Sequence, residues 1–293
     1  MLRVDTLSVR LGRQKVLNDV CLTVDRGRVV ALVGANGAGK STLLATVCGL
    51  IEQASGTVTV RGLSVGPGST ALAFVGASLT GDGYLPHRTV RQNVDDLWDV
   101  LGPRRRSSCR DELLEALDLT HLKDVPAGHL SVGNARRLSI AMAMLGKPDL
   151  LVLDEPHAGL DPTGRARVAT VLHRYAGEGR SVLYTAHELS EIDYDTVDVV
   201  ALVDGRLVHF EDADSASATV EVRVEQCASR YAATLAAAGA DVRVGPADTL
   251  TITAAGTVGD TLRLVAGVGL AATAVRSSSP LERWYAESVS RDR

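Results

Sequence analysis

Val29-Val30-Ala31-Leu32-Val33-Gly34-Ala35-Asn36-Gly37-Ala38-Gly39-Lys40-Ser41-Thr42 decides how the rest of the chain is read. The apolar run at its start predicts a buried strand. Leu43-Leu44-Ala45-Thr46-Val47 behind it predicts a helix reaching about Leu50. Between them Gly34, Gly39, Lys40 and Ser41 meet the pattern G-x-x-x-x-G-K-S in the strand–loop–helix setting that gives it meaning. Glycines let a backbone bend round a phosphate and aim N–H groups at it, and the positive end of the helix adds to the pull. Lys40 is placed for the outer phosphates, and the Ser41 hydroxyl for magnesium. A plain Gly-rich turn before a helix would not need every fixed position filled. The stretch is read as a nucleoside triphosphate site.

Around it lie 293 residues, room for one large domain and a small one. Hydrophobic residues make up 45 % and aromatics only 3 %, so the core has to be aliphatic. A net charge of −4 gives no reason to expect a nucleic-acid partner. Cys21, Cys48, Cys109 and Cys227 form no C-x-x-C pair, so reduced, mostly buried thiols are expected rather than a metal or disulfide framework. Met1-Leu2-Arg3-Val4-Asp5 does not open a signal peptide. The longest uncharged apolar run, Leu264 to Val275, is too short to span a bilayer. The chain is therefore expected to be soluble and to reach a membrane only through a partner.

Before the loop, Val4, Leu7, Val9 and Leu11 lie near strand spacing, Gly12 starts a turn, and Val20 to Val24 reads as a second strand. With Thr57 to Val60 these predict an antiparallel lobe on a parallel core. From about 76 to 146 the pattern is mainly helical, with helices at Val90 to Leu101 and Arg110 to Leu117. Pro103-Arg104-Arg105-Arg106-Ser107-Ser108 between them reads as a solvated loop, with a docking surface or a contact to anionic lipid as the sharper option. A helix carrying Leu138, Met142 and Leu145 follows Leu130-Ser131-Val132-Gly133-Asn134 and stops at Gly146. Leu150 to Leu153 is a buried strand ending in Asp154-Glu155-Pro156. A helix near Thr163 to Tyr175 leads to a strand at Ser181 to Thr185, with His187 just beyond. Asp204-Gly205 marks a hairpin.

In that order the segments resemble the ATP-binding subunits of ATP-binding cassette (ABC) transporters over about the first two-thirds of the chain. Gly34 to Thr42 is similar to Walker A, Leu130 to Asn134 to the signature, and Leu150 to Asp154 to Walker B. Gly159-Leu160-Asp161-Pro162 is similar to the D-loop, and His187 to the switch histidine. The resemblance implies an α/β P-loop NTPase with an antiparallel lobe and a helical subdomain. It implies ATP bound by Gly34, Ala35, Asn36, Gly37, Ala38, Gly39, Lys40, Ser41 and Thr42, and Mg2+ held by Ser41 and Asp154. Glu155 would polarise the attacking water, and Lys40 and His187 would meet the terminal phosphate. It further implies a dimer, of two copies or two different cassettes. Ser131 and Gly133 of each chain would cover the other's nucleotide, with Asp161 at the seam. Separate transmembrane permease subunits would hold the dimer at the inner face of the cell membrane.

Three positions depart from that pattern. Leu11 stands where an aromatic residue usually stacks on adenine, so base discrimination is expected to be loose. No glutamine occurs between Phe74 and Thr89, and Thr80 takes the place of the one that links magnesium to the membrane partner. Val132 and Asn134 stand where Gly and Gln are usual. Subfamily drift, a slow or regulated ATPase, and one half of an asymmetric dimer are the readings these leave open.

After a small-residue linker at 213–218, residues 219–293 read as strand, helix, strand, strand, helix, strand, a ferredoxin-like βαββαβ order. Ser279-Pro280-Leu281-Glu282 opens a last helix with a capping box. Drug- and antibiotic-exporter cassettes look similar here, which implies export. The rival reading is an ABC ATPase that acts as a switch or assembly factor without transport.

Overall fold

The computed structural model describes residues 1–79, 83–101, 110–186, 192, 196–209, 218–224, 228–237, 239–245, 249–254 and 272–278. They divide into two compact units, Met1–His209 and the chain beyond.

The first unit begins with a hairpin, β1 (Leu2–Leu11) and β2 (Gln14–Val24). β3 (Val29–Val33) leads into α1 (Lys40–Val47), and β4 (Ser55–Val60), β5 (Leu63–Ser64) and β6 (Val75–Ser78) follow. Next come α2 (Val90–Leu101), α3 (Arg110–Ala116) and α4 (Val132–Met144). β7 (Leu150–Leu153), α5 (Pro162–Gly177), β8 (Ser181–Thr185), β9 (Asp198–Val203) and β10 (Arg206–His209) complete it. β2, β1, β4 and β5 form the antiparallel lobe in that order. The core sheet runs β10-β9-β3-β8-β7-β6, with β9 through β6 parallel and β10 antiparallel. Every residue of β3, β7 and β8 is buried, as expected of parallel strands covered on both faces.

Sequence and structure part at four places. β2 starts at Gln14 rather than near Val20. Register shifts and the left-handed Asp19 (φ 52) break the alternation that would have betrayed its first half. α1 stops at Val47 rather than near Leu50, because Gly49 takes the left-handed conformation (φ 69) and the Gly49 and Leu50 amides turn back onto the Thr46 and Ala45 carbonyls. β6 belongs to the core sheet, so residues 76–78 are not part of the helical stretch, which starts beyond them. Gly76 is there because a Cβ would lie 2.0 Å from the Ala143 carbonyl oxygen of α4, so the strand accepts the helix only without a side chain. Cys21 is exposed, whereas Cys48 is buried with its thiol pushed up to about 12 by desolvation.

In the second unit β11 (Ala218–Val224), α6 (Ala228–Ala237), β12 (Asp241–Gly245), β13 (Thr249–Ala254) and β14 (Ala272–Ser278) are described. Their sheet order is β12-β13-β11-β14, with every pair antiparallel. Leu235 of α6 is buried, as are Leu250 and Ile252 of β13. The expected linker gives way at Ala218, where β11 begins. Most of the expected linker, the second helix around Val258 to Val265 and the closing helix from Ser279 lie outside the described residues, as do Thr80, His187, Cys109 and Cys227.

Candidate nucleotide site

β3, β8 and β7 are neighbours in the parallel sheet, and their carboxyl ends bring the first group of candidates together. β3 ends at the 34–42 loop. Gly34 passes so close to β9 that a Cβ would come within 2.4 Å of the Leu202 carbonyl oxygen. Gly39, in a left-handed conformation, starts α1, and no side chain caps that helix. The first amides of α1 are thus presented to the loop, a built-in anion site. Ala38 closes the turn by donating to the Ala35 carbonyl at 3.2 Å.

Lys40 lies on the inner side, 7 % exposed, its Nζ donating to the Gly34 and Ala35 carbonyls at 2.7 and 3.1 Å. Burial lowers its pKa, and the facing charges of Glu155 and Asp154 oppose that shift. The hydroxyl-bearing Ser41 is exposed, with Thr42 beside it half-buried. Asp154 is buried at the end of β7, and its amide donates to the Ser78 carbonyl at 2.8 Å. Its Oδ1 accepts from the Thr185 hydroxyl at 2.6 Å. Among the described residues no donor takes its Oδ2 or the Glu155 carboxylate. That Asp154 carboxylate oxygen and the Ser41 hydroxyl are donors of the kind that fit magnesium, which keeps waters and phosphate oxygens for its other positions. Glu155 is half-buried with φ 49, in the left-handed region rare for a side chain of this kind.

Thr185 was read in the sequence only as the end of a strand. Its hydroxyl also accepts from the Glu155 amide at 2.8 Å, which makes it the link between the two carboxylate residues. The sequence signal for it is a hydroxyl residue where the run Val182-Leu183-Tyr184 ends. His157 was also missed. It is buried, stands edge-on to Tyr184 at 5.6 Å and, among the described residues, finds no partner for its Nδ1. Burial, with Arg165 adding to it, holds its pKa down to about 4.

A second group gathers at the start of α4. Ser131 caps the helix, its hydroxyl accepting from the Asn134 amide at 3.3 Å. Asp161 caps α5 in the same way, accepting from the Gly164 amide at 2.9 Å. A Cβ on Gly133 would stand 3.1 Å from the Gly159 carbonyl oxygen, so the 131–134 and 159–161 segments pack together. Val132 points outward, 72 % exposed. Arg137 ties Asn134 to the end of α3, donating to the Asn134 side chain, to the Leu117 carbonyl at 3.0 Å and to Asp118 Oδ2 at 3.1 Å. That bond to Arg137 holds the Asp118 carboxyl below its ordinary pKa.

Leu11 ends β1, 47 % exposed, opposite Gln14 across the hairpin. Further along that hairpin, Val16 and Leu17 lie within 3.2 Å of where a Gly39 Cβ would stand, so β2 rests against the loop.

This arrangement defines an ATP-binding cassette. The family described as "ABC transporter" matches residues 17–158. The lipopolysaccharide export system ATP-binding protein LptB of Haemophilus influenzae is 32 % identical over 201 residues, covering 65 % of this chain and 82 % of that protein. The lantibiotic transport ATP-binding protein SrtF of Streptococcus pyogenes is 28 % identical over 214 residues, 73 % of this chain and 92 % of that one. The dimeric bacterial ABC transporter cassette MJ0796 superposes with a TM-score of 0.64 at 19 % identity, over 72 % of this chain and all of that one, a likeness of fold. The chain belongs to the family of ABC transporter ATP-binding subunits. Among the described residues no helix is long and apolar enough to cross a membrane.

Proposed function

We propose that the chain hydrolyses ATP to drive an exporter whose membrane-spanning parts are separate permease subunits. The observation that carries the reading is Lys40. It is a buried ammonium between two loop carbonyls, facing Asp154 and Glu155 at the end of the same sheet. A terminal phosphate drawn to the uncapped start of α1 meets that ammonium. Phosphoryl transfer needs chiefly positioning and charge neutralisation, and this set supplies both. Ser41 and Asp154 would hold Mg2+, which neutralises phosphate charge. Glu155 orients the water, and His187 contacts the terminal phosphate. The Gly34-Ala35-Asn36-Gly37-Ala38-Gly39-Lys40-Ser41-Thr42 loop holds the phosphates, and Leu11 offers the base an aliphatic surface only.

In this reading the working unit is a dimer. Ser131 and Gly133 close over the partner's nucleotide, and Asp161 lies at the seam. The exposed, packed-together placement of the 131–134 and 159–161 segments supports that role. A groove of about 240 Å3 between β6, α2 and α4, lined by Leu79, Leu97, Leu101 and Met142, suits an apolar segment of a permease. The names of the LptB and SrtF relatives support transport, and LptB's supports export. The domain reading is a cassette at 1–212, with a helical subdomain that starts beyond β6 rather than at about 76 and reaches about 146, then an accessory ferredoxin-like domain at 219–293. The described sheet order β12-β13-β11-β14 supports the last assignment.

The absence of a glutamine between Phe74 and Thr89 favours a second reading, a switch that hydrolyses ATP without transport. Copurification of a polytopic membrane protein separates the two. The test of the first reading is steady-state ATP hydrolysis by the wild type and by Lys40→Ala. Turnover abolished by the substitution is expected, and turnover that survives it would overturn the site.

A further inference from the structure

We propose that Thr185 and Arg136 are positioning residues that clamp the Asp154–Glu155 peptide unit, so fixing both carboxylates for water attack on the terminal phosphate. The proposal rests on the ATPase reading above. The peptide is planar, so its C=O and N–H are the two ends of one rigid group. The Glu155 N–H donates to Thr185 Oγ1 at 2.8 Å. The Asp154 carbonyl, at the other end, accepts from Arg136 Nη1 at 3.2 Å. Directions at Thr185 are settled by chemistry. An amide can only donate and a carboxylate can only accept, so the hydroxyl's one proton goes to Asp154 Oδ1 at 2.6 Å while a lone pair takes the Glu155 N–H. Thr185 is fully buried, so no water competes for either bond.

The clamp also explains a backbone oddity. Glu155 has φ 49, which a non-glycine residue keeps only when its surroundings over-determine it. The Thr185 and Arg136 bonds do so from opposite sides, and the Ala158 amide adds a third at the Glu155 carbonyl at 3.1 Å. The two clamp residues come from different places. Thr185 ends β8 in the rigid core sheet. Arg136 is in α4, one helical turn after Gly133, on the helix that Ser131 caps. A shift of that helix toward or away from a partner's nucleotide therefore pulls on the carbonyl next to Glu155.

The test is steady-state hydrolysis by the full chain, with kcat, KM for ATP and the half-saturating Mg2+ concentration measured for four proteins. Thr185→Val keeps the shape and removes both bonds. Its kcat is expected to fall about 10- to 100-fold with KM nearly unchanged and the Mg2+ requirement raised, the usual scale for losing a residue that orients metal ligands. Thr185→Ser, which restores the hydroxyl, is expected to recover to within about threefold of wild type on the same scale. Arg136→Met is expected to lower kcat without moving the Mg2+ requirement, because it touches the carbonyl and not the Asp154 carboxylate. Wild-type kcat in Thr185→Val, or no recovery in Thr185→Ser, would overturn the clamp while leaving the ATPase reading intact. If Thr185→Val does not fold, Arg136→Met decides, and wild-type kcat there would overturn the proposal equally. A wild type that binds ATP and Mg2+ without ever hydrolysing would sink the ATPase reading itself.

Discussion

His157 carries a cost that depends on pH. Its imidazole is buried with no partner for Nδ1 among the described residues, and its pKa is held down to about 4 against an ordinary 6.5. The unfolded chain therefore binds more protons than the folded one between those values, and stability falls as pH drops from 6.5 toward 4. With a 1.36 kcal/mol equivalence per unit, this one group should remove roughly 2 kcal/mol between pH 7 and pH 5. Urea unfolding at the two pH values checks it. In His157→Leu that pH-dependent loss should shrink by about this amount. Lys40 shifts downward by the same desolvation, yet two carboxylates and two carbonyls face it, so its charge is accommodated where that of His157 is not. The loop around Lys40 was legible because its spacing is fixed by the shape of a phosphate. His157, Thr185 and Arg136 were not, because each acts through a partner distant in sequence and two of those partners include backbone atoms.

At the scale of elements, periodicity found what it could. β7 is an unbroken apolar run, β8 is a short run from Val182 to Tyr184 between two hydroxyl residues, and α2 alternates faces along its length, so their bounds were readable from the chain. β6 was not, because Gly76 and Ser78 dilute it to a pattern no rule flags. Its glycine is dictated by α4, 67 residues away (143 − 76), whose Ala143 carbonyl leaves no room for a Cβ. Gly76→Ala should therefore destabilise the cassette by about 1–3 kcal/mol as α4 and β6 are forced apart, measured as a lower urea midpoint at unchanged slope. The caps make a second prediction. Asp161→Ala leaves the Gly164 amide without its acceptor and should cost about 1 kcal/mol of stability on the usual scale for a cap. If Asp161 also lies at a dimer seam, the same substitution weakens ATP-dependent association beyond what that stability loss explains, which sedimentation at matched folded fraction would reveal.

At the scale of the molecule, one chain offers one phosphate loop and one 131–134 segment, and in the proposed dimer these meet only across two subunits. In the proposed cycle ATP closes such a pair and hydrolysis opens it. Glu155→Gln keeps the shape of the site and removes the carboxylate proposed to orient water, so it should stop the cycle after closure. The measurement is light scattering of Glu155→Gln with and without ATP and Mg2+. A monomer is expected without nucleotide and, with it, a species of twice the mass that retains ATP through gel filtration. A protein that binds ATP and stays monomeric would contradict it.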